Sequence, residues 1–428
     1  MLVTAGPGIG PPPPRRSSIM PRAMSAAALL LVAAFVLAEE PPSPAAREPE
    51  FATELAKIIK AAKAQEERFC AELTRRLDAA KTDADREAAL VWARREQEEN
   101  NKAAAPAQEN LMRLLRQSAA DPAAVRGLIY LAFCKNDAVR AEAADLLRRH
   151  HLTHPDTIVF AANSWSFPSD PGGRVEALLR DLVAEKTVSD DERARGQFAL
   201  AMRLKRTAEL SAQIDGNPEG ANERYGKEGV AELRKADVAK LVAEAVKLFE
   251  DLAARNVPIE LARGITIGDE SRASAYEIRN LGVGKVAPDI AAEDLNGEKF
   301  RLSDYRGKVV LLSFWGSRCS ACMALVPHER EIDARFRGRP FALIGVNCDG
   351  DRGQVKPVLE RHQITLRSFW CGPKGMYGDL PRAWNVMAWP TVYVIDHTGV
   401  IRSKTARGAE LDRLLDALVK QAENDAAK

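Results

Sequence analysis

The chain has 428 residues, with 62 basic and 60 acidic side chains and a formal net charge of +2 at pH 7. At about 150 residues per domain, this length predicts two or three domains. Because the charge is nearly neutral and the basic residues are scattered, neither a nucleic-acid surface nor a polybasic membrane patch is indicated.

Residues 1–38 have the pattern of a signal peptide. Arg15, Arg16 and Arg22 precede an apolar run at 26–38, which offers small residues for cleavage near Ala38. The run is shorter than the about 20 residues that a membrane-spanning helix needs. We therefore expect an exported, periplasmic protein, with a retained membrane anchor as the alternative. In that compartment the six cysteines can form disulfides.

The next part of the chain is predicted to be helical. Residues 39–50 are a Pro-rich linker, and beyond it apolar side chains recur at helical spacing within a domain spanning 51–283. Ser189 with Glu192 three residues later forms a capping box, which marks a helix start. We expect eight or nine helices up to residue 254, arranged as a bundle or a tetratricopeptide-like stack. Such a stack can dock a partner protein, whereas an apolar stripe alone indicates only a core.

Three histidines in this helical part have metal-ligand chemistry. His150, His151 and His154 lie close together in sequence, and Cys134 precedes them. However, they straddle a predicted helix end, and no second group of ligands has the right spacing. We therefore expect no metal site here.

Residues 284–428 alternate between predicted strands and helices. The run 309–315 is apolar apart from Ser313, which predicts a central strand buried on both faces. The turn at 294–297 predicts a β-hairpin before it. Apolar runs and amphipathic spacing predict the later elements, which are strands at 341–347, 366–370 and 391–395 and helices at 357–362 and 411–418.

Five motifs occur in order in this last third of the chain. They are Gly284-Lys-Val-Ala-Pro-Asp, Leu302-Ser-Asp-Tyr-Arg-Gly-Lys, Phe314-Trp-Gly, Cys319-Ser-Ala-Cys322 and Trp389-Pro-Thr. On these motifs the region resembles the exported redoxins, or TlpA-type thioredoxin-like thiol-disulfide oxidoreductases. With the preceding helices, the resemblance implies an all-α helical domain followed by an α/β thioredoxin-like domain, in which helices flank a central mixed sheet and a β-hairpin comes first.

Cys319 and Cys322 are the predicted redox centre. Cys319 is expected at a helix N-terminus beside Arg318, where free amides and positive charge favour a thiolate, so we expect it to be the more acidic and more exposed nucleophile. Cys322, one turn later, is expected to be buried and to resolve a mixed disulfide. The resemblance implies that Pro390 is cis and faces this pair. It further implies three substrate-binding or tuning residues, which are Arg318, Trp315 and Trp389.

The resemblance also implies an activity, the reduction of protein disulfides without a cofactor. Electrons would come from a membrane thiol donor of the DsbD or CcdA type, although the sequence does not give the direction of electron flow. Two alternatives stay open. One is a thiol peroxidase, although Gly316 stands where such enzymes have Thr; the other is a helical adaptor that carries a redoxin domain as scaffold.

Two departures from the thioredoxin pattern leave proton handling open, and a third concerns a specialised role. Thioredoxins have a buried Asp where this chain has Ser313, and usually a Trp where it has Arg318. The cytochrome-maturation reductases have a Glu where this chain has Leu325. That specialised role is therefore not supported.

Four further cysteines are present. Cys348 and Cys371 follow predicted strands that the resemblance makes parallel neighbours, so both thiols are expected at the active edge of the sheet. They are either a second disulfide or two unpaired core residues. Cys70 and Cys134 lie in the helical part, and the sequence leaves their pairing open.

Overall fold

The computed structural model describes residues 50–80, 83–134, 136–164, 173–215, 218–262, 264–386, 388–404 and 406–427. The predicted signal peptide and nearly all of the Pro-rich linker lie outside these residues. Within them, no helix combines the length and apolar character needed to cross a membrane.

The first part of the chain is helical, because apolar residues at helical spacing pack into buried clusters, the larger of which includes Phe51 and Ala275. The predicted capping box of Ser189 and Glu192 is present at the start of the helix Asp190–Gln213. Nine helices precede residue 255 in the described ranges: α1 (Glu50–Ala79), α2 (Asp83–Gln117), α3 (Ala124–Ala132), α4 (Asp137–His150), α5 (Pro155–Asn163), α6 (Arg174–Ala184), α7 (Asp190–Gln213), α8 (Pro218–Lys235) and α9 (Val238–Ala254).

A helix that the sequence does not predict joins the two parts. A short antiparallel pair, β1 (Glu260–Ala262) and β2 (Ile265–Thr266), leads into α10 (Ile267–Asn280), which packs on α9. This helix lies within the predicted helical domain, but apolar spacing alone does not mark it, because its buried face carries, besides Ile267 and Ala275, several polar side chains. These are Glu270, Ser271, Ser274 and Glu277.

The second part is built on a hairpin and a five-stranded sheet. The predicted hairpin consists of β3 (Ala291–Glu293) and β4 (Lys299–Arg301). The later elements are β5 (Val309–Trp315), α11 (Ser320–Arg335), β6 (Phe341–Asn347), α12 (Arg352–His362), β7 (Arg367–Trp370), α13 (Asp379–Ala383), β8 (Thr391–Ile395), β9 (Ile401–Ser403) and α14 (Gly408–Ala426). The strand order is β7-β6-β5-β8-β9, so the predicted central mixed sheet is confirmed. α12 begins before Pro357, contrary to prediction, because Asp351 caps it.

The central strand β5 is buried on both faces, as its apolar run predicts. On one face, Leu311 packs in the cluster beneath α11 and α14. On the other face, Phe314 packs in a cluster with Phe300 of the hairpin. β5 pairs in parallel with β6 and antiparallel with β8. This burial holds the C-terminal end of β5 in place, and the two site cysteines follow it.

Candidate active site

The turn after β5 brings Cys319 and Cys322 to the start of α11. Cys319 is the N-cap residue of this helix, and the two sulfur atoms are joined as a disulfide with an S–S distance of 2.14 Å. The backbone N–H of Cys322 donates to Sγ of Cys319 at 3.1 Å. An amide at the positive end of the helix dipole therefore points at the Cys319 sulfur, where it can stabilise a thiolate.

The two sulfurs differ in access. Cys319 is half-buried and lines an open pocket of about 610 Å³. Cys322 is only 3% exposed and lines a separate cavity of about 10 Å³ behind the disulfide. A disulfide that enters the open pocket therefore meets Cys319 first.

Trp389 and Pro390 line different cavities beside the Cys319–Cys322 disulfide. The Trp389–Pro390 peptide bond is cis, the form that the resemblance implies. Trp389 lines the open pocket beside Cys319, whereas Pro390 lines the small cavity beside Cys322. The structure thus brings both residues next to the disulfide.

Arg318 and Trp315 differ in whether a substrate can reach them. Arg318 lines the open pocket, and its guanidinium donates to Oε1 of Gln354 at 2.7 Å. Trp315 is buried, and its Nε1 donates to Oγ of Ser368 on β7 at 3.2 Å. Trp315 lines the small cavity, so of these two residues it is Arg318 that an incoming substrate can reach.

A buried carboxyl group that is not among the predicted site residues lies behind the disulfide. Glu329 lies two turns after Cys322 on α11, is 8% exposed and accepts a hydrogen bond from Oγ of Ser313 at 2.7 Å. All three residues line the cavity of about 10 Å³, which has room for about one water molecule. Burial raises the pKa of Glu329, although the Ser313 hydrogen bond opposes this effect.

Two sequence signals could have located this carboxyl group. Ser313 is the single polar residue in an otherwise apolar strand, so it needs a buried partner. Glu329 follows Cys322 by seven residues, which places it on the same face of the helix. Together these signals indicate a polar contact between strand and helix beneath the redox pair.

Cys348 and Cys371 lie at the same edge of the sheet, directly after β6 and β7. Their sulfur atoms are 3.2 Å apart without a covalent bond, and both residues are buried. Cys70 is exposed on α1 and Cys134 is buried after α3, and neither forms a disulfide.

The histidines of the helical part make structural contacts. His151 is buried, and its ring Nε2 lies 2.6 Å from the carbonyl oxygen of Ala119. His154 caps α5 by accepting from the backbone N–H of Asp156 at 3.2 Å. These contacts use side chains that the sequence offered as metal ligands.

The segment that carries this site is similar to known proteins. The sequence profile of the AhpC/TSA family matches residues 283–404. Thiol-disulfide oxidoreductase ResA of Geobacillus kaustophilus (strain HTA426) is 30% identical over 141 residues, which are 32% of this chain and 79% of the relative. Thioredoxin-like protein YneN of Bacillus subtilis (strain 168) is 30% identical over 149 residues, which are 33% of this chain and 84% of the relative. The chain belongs to the thioredoxin-like thiol-disulfide oxidoreductases.

The family assignment confirms the resemblance found in the sequence. This oxidoreductase has a thioredoxin-like redox function, and the matched segment is about a third of its length. Among solved structures, the thioredoxin domain of a thiol-disulfide oxidoreductase from Bacteroides vulgatus is 28% identical. The match covers 33% of this chain and 99% of the Bacteroides vulgatus domain, with a TM-score of 0.31.

Proposed function

We propose that this oxidoreductase is exported and reduces protein disulfides through the dithiol of Cys319 and Cys322. The observation that carries the proposal is the unequal placement of the two sulfurs. Cys319 lies at a helix N-terminus on an open pocket, and Cys322 is buried behind it. This is the arrangement that a nucleophilic and a resolving thiol need.

The reaction proceeds in two exchanges. The Cys319 thiolate attacks one sulfur of a substrate disulfide, and the other substrate sulfur leaves as a thiolate. Cys322 then attacks Sγ of Cys319, which releases the reduced substrate and forms the Cys319–Cys322 disulfide. Two electrons pass from the dithiol to the substrate.

Glu329 is the proton-exchange group for Cys322 in this proposal. Cys322 loses a proton when it attacks and regains one when the disulfide is reduced again. Glu329 and Cys322 line the same small cavity, and burial raises the pKa of this carboxyl, which makes it a better proton acceptor than an exposed glutamate. Ser313 orients the carboxyl through its 2.7 Å hydrogen bond.

Residues 1–38 and the helical domain have proposed roles in export and in partner binding. The arginines and the apolar run of residues 1–38 support export. We place the boundary between the helical domain and the redoxin domain at residues 283 and 284. A membrane thiol donor of the DsbD or CcdA type would reduce the disulfide, and the helical domain would dock protein partners.

Trapping of mixed disulfides tests the proposal. Cys322→Ser should accumulate mixed disulfides with substrate proteins, because the thiol that releases Cys319 is gone. Cys319→Ser should trap far less, and Cys134→Ser, which removes a buried thiol of the helical part, should trap no more than the native protein. Each variant is expressed with its N-terminal segment intact, and partners are resolved on non-reducing gels.

The outcome also separates the alternatives. Equal trapping by Cys319→Ser and Cys322→Ser, or none by either, would contradict the proposed reductase. A peroxidase would instead consume peroxide and pass through a sulfenic acid on Cys319. A scaffold would do neither.

A further inference from the structure

Cys348 and Cys371 are positioned to form a second disulfide. The residues that precede them, Asn347 and Trp370, are paired in register between β6 and β7. The backbone N–H of Cys371 donates to the carbonyl oxygen of Asn347 at 3.0 Å. Because the two sulfurs are already 3.2 Å apart, an approach of about 1 Å would bring them to disulfide bonding distance.

One thiol of each pair lines a common pocket. Cys348 and Cys319 both line the open pocket of about 610 Å³. The backbone N–H of Cys348 donates to the carbonyl oxygen of Trp315 at 2.8 Å. The carboxylate of Asp349 accepts from the N–H and the hydroxyl of Ser317 at 2.8 and 2.9 Å. The turn before Cys319 and the turn after β6 are therefore held together by hydrogen bonds.

The two thiols of this pair have different surroundings. Cys348 is among the residues that line the shared pocket, whereas Cys371 is not. The hydrogen bond with Cys348, together with burial, raises the pKa of Cys371. Cys348 is therefore the thiol that can attack, and Cys371 is the one that resolves.

We propose that Cys348 and Cys371 are a second redox pair that reduces the Cys319–Cys322 disulfide within the same chain. This inference rests on the proposed reductase function. It adds a second store of two electrons, so that one chain can reduce a second substrate disulfide before an external donor acts.

The exchange between the two cysteine pairs takes place within one molecule, in two steps. The Cys348 thiolate attacks Sγ of Cys319, the Cys319–Cys322 bond breaks, and Cys322 leaves as a thiolate that takes up a proton. Cys371 then loses its proton and attacks Sγ of Cys348, which breaks the Cys319–Cys348 bond and releases Cys319. The first pair gains two electrons and the second pair loses two.

A stoichiometry measurement tests the inference. The fully reduced chain is freed of reductant without oxygen and mixed with excess insulin, whose disulfides serve as the probe. After quenching by alkylation, insulin thiols are counted per chain and the disulfides of the chain are mapped by mass spectrometry. Excess insulin keeps oxidising Cys319 and Cys322, which draws electrons from the second pair.

The native chain should reduce about twice as many insulin disulfides as Cys371→Ser, and it should end with a Cys348–Cys371 disulfide. Cys134→Ser removes a buried free thiol of the helical part and should match the native chain. A native chain that reduces one disulfide and keeps Cys348 and Cys371 as thiols overturns the inference alone. If no insulin disulfide is reduced, the proposed function fails and the inference falls with it. The disulfides mapped in the native chain show whether Cys348 and Cys371 have been oxidised, so the inference is tested even if Cys371→Ser does not fold.

Discussion

Burial keeps the carboxyl group of Glu329 away from water, and this raises its pKa above the ordinary value of 4.5, against the opposing hydrogen bond from Ser313. Because the folded pKa lies above the unfolded one, the folded chain retains more protons than the unfolded chain as pH rises above 4.5. The contribution of Glu329 to stability is therefore present at acidic pH and is lost as pH rises. A side chain that weakens the fold at neutral pH is expected at a functional site.

Glu329→Gln should separate stability from activity. The amide keeps the shape of the side chain and can still accept from Ser313, but it exchanges no proton. We expect the free energy of unfolding to match the native value near pH 4 and to exceed it at pH 7. Insulin reduction should slow by about 100-fold, as is typical when a general acid or base is lost.

The measurements are urea unfolding at both pH values and turnover with a chemical thiol donor. Glu331→Gln is the matched control, since Glu331 is an exposed residue on the same helix. It should leave stability and turnover unchanged. Native turnover in Glu329→Gln, or an equal change of stability at both pH values, would count against the assigned role.

At the scale of elements, the sheet was the most predictable part of the molecule. β5, β6 and β8 have the predicted bounds because each is a short run of apolar residues, which is the pattern of a strand buried on both faces. The turn between β5 and α11 then places Cys319 and Cys322 at the start of the helix. Periodicity failed where polar groups are buried, as in α10 and at Glu329, because their partners come from distant parts of the sequence.

Gly345 shows why three neighbouring strands need a residue without a side chain. It lies in the middle of β6, paired with Ser313 on one side and Ser368 on the other. A Cβ atom at this position would lie 2.2 Å from Oγ of Ser368 and 2.8 Å from Nε1 of Trp315. The missing side chain therefore leaves space for the hydrogen bond between Trp315 and Ser368.

Gly345→Ala should displace the Trp315 indole and weaken the sheet. Overpacking of a core typically costs about 1 to 3 kcal/mol, and we expect a loss in this range with a changed near-ultraviolet circular dichroism signal. Gly316→Ala is the control at the end of the neighbouring strand, because its Cβ atom would have its nearest contact at 3.8 Å, on Oδ1 of Asp349. A Gly345→Ala protein with native stability would show that the indole has room to move.

At the scale of the whole molecule, one buried carboxylate connects the helical part to the sheet. Glu277 of α10 forms ion pairs with Lys205 of α7 and with Lys404, which follows β9. Asn385, which follows α13, donates to the same carboxylate at 2.7 Å. The two parts of the chain therefore meet at a charged contact as well as through apolar packing.

The charge of Glu277 depends on these partners. Burial alone would raise its pKa, but the ammonium groups of Lys205 and Lys404 outweigh burial and lower the pKa to about 2. Because this value lies below the ordinary 4.5, the unfolded chain binds more protons between these two pH values. The contact therefore stabilises the fold fully above about pH 4.5, by about 3 kcal/mol, and this contribution is lost as pH falls towards 2.

Glu277→Gln should destabilise the protein at pH 7 by about 3 to 5 kcal/mol, because it leaves two buried ammonium groups without their counter-ion. The loss should shrink between pH 4.5 and pH 3, where the native carboxylate itself begins to take up protons. Glu270→Gln is the matched control on the same helix. Burial raises the pKa of Glu270 even though Lys205 is near, so removing its charge should leave stability at pH 7 unchanged or higher. Urea unfolding of the three proteins at pH 7, 4.5 and 3 measures these differences. Equal losses in both variants at pH 7, or a loss in Glu277→Gln that does not vary with pH, would show that the contact between the two parts does not depend on this charge.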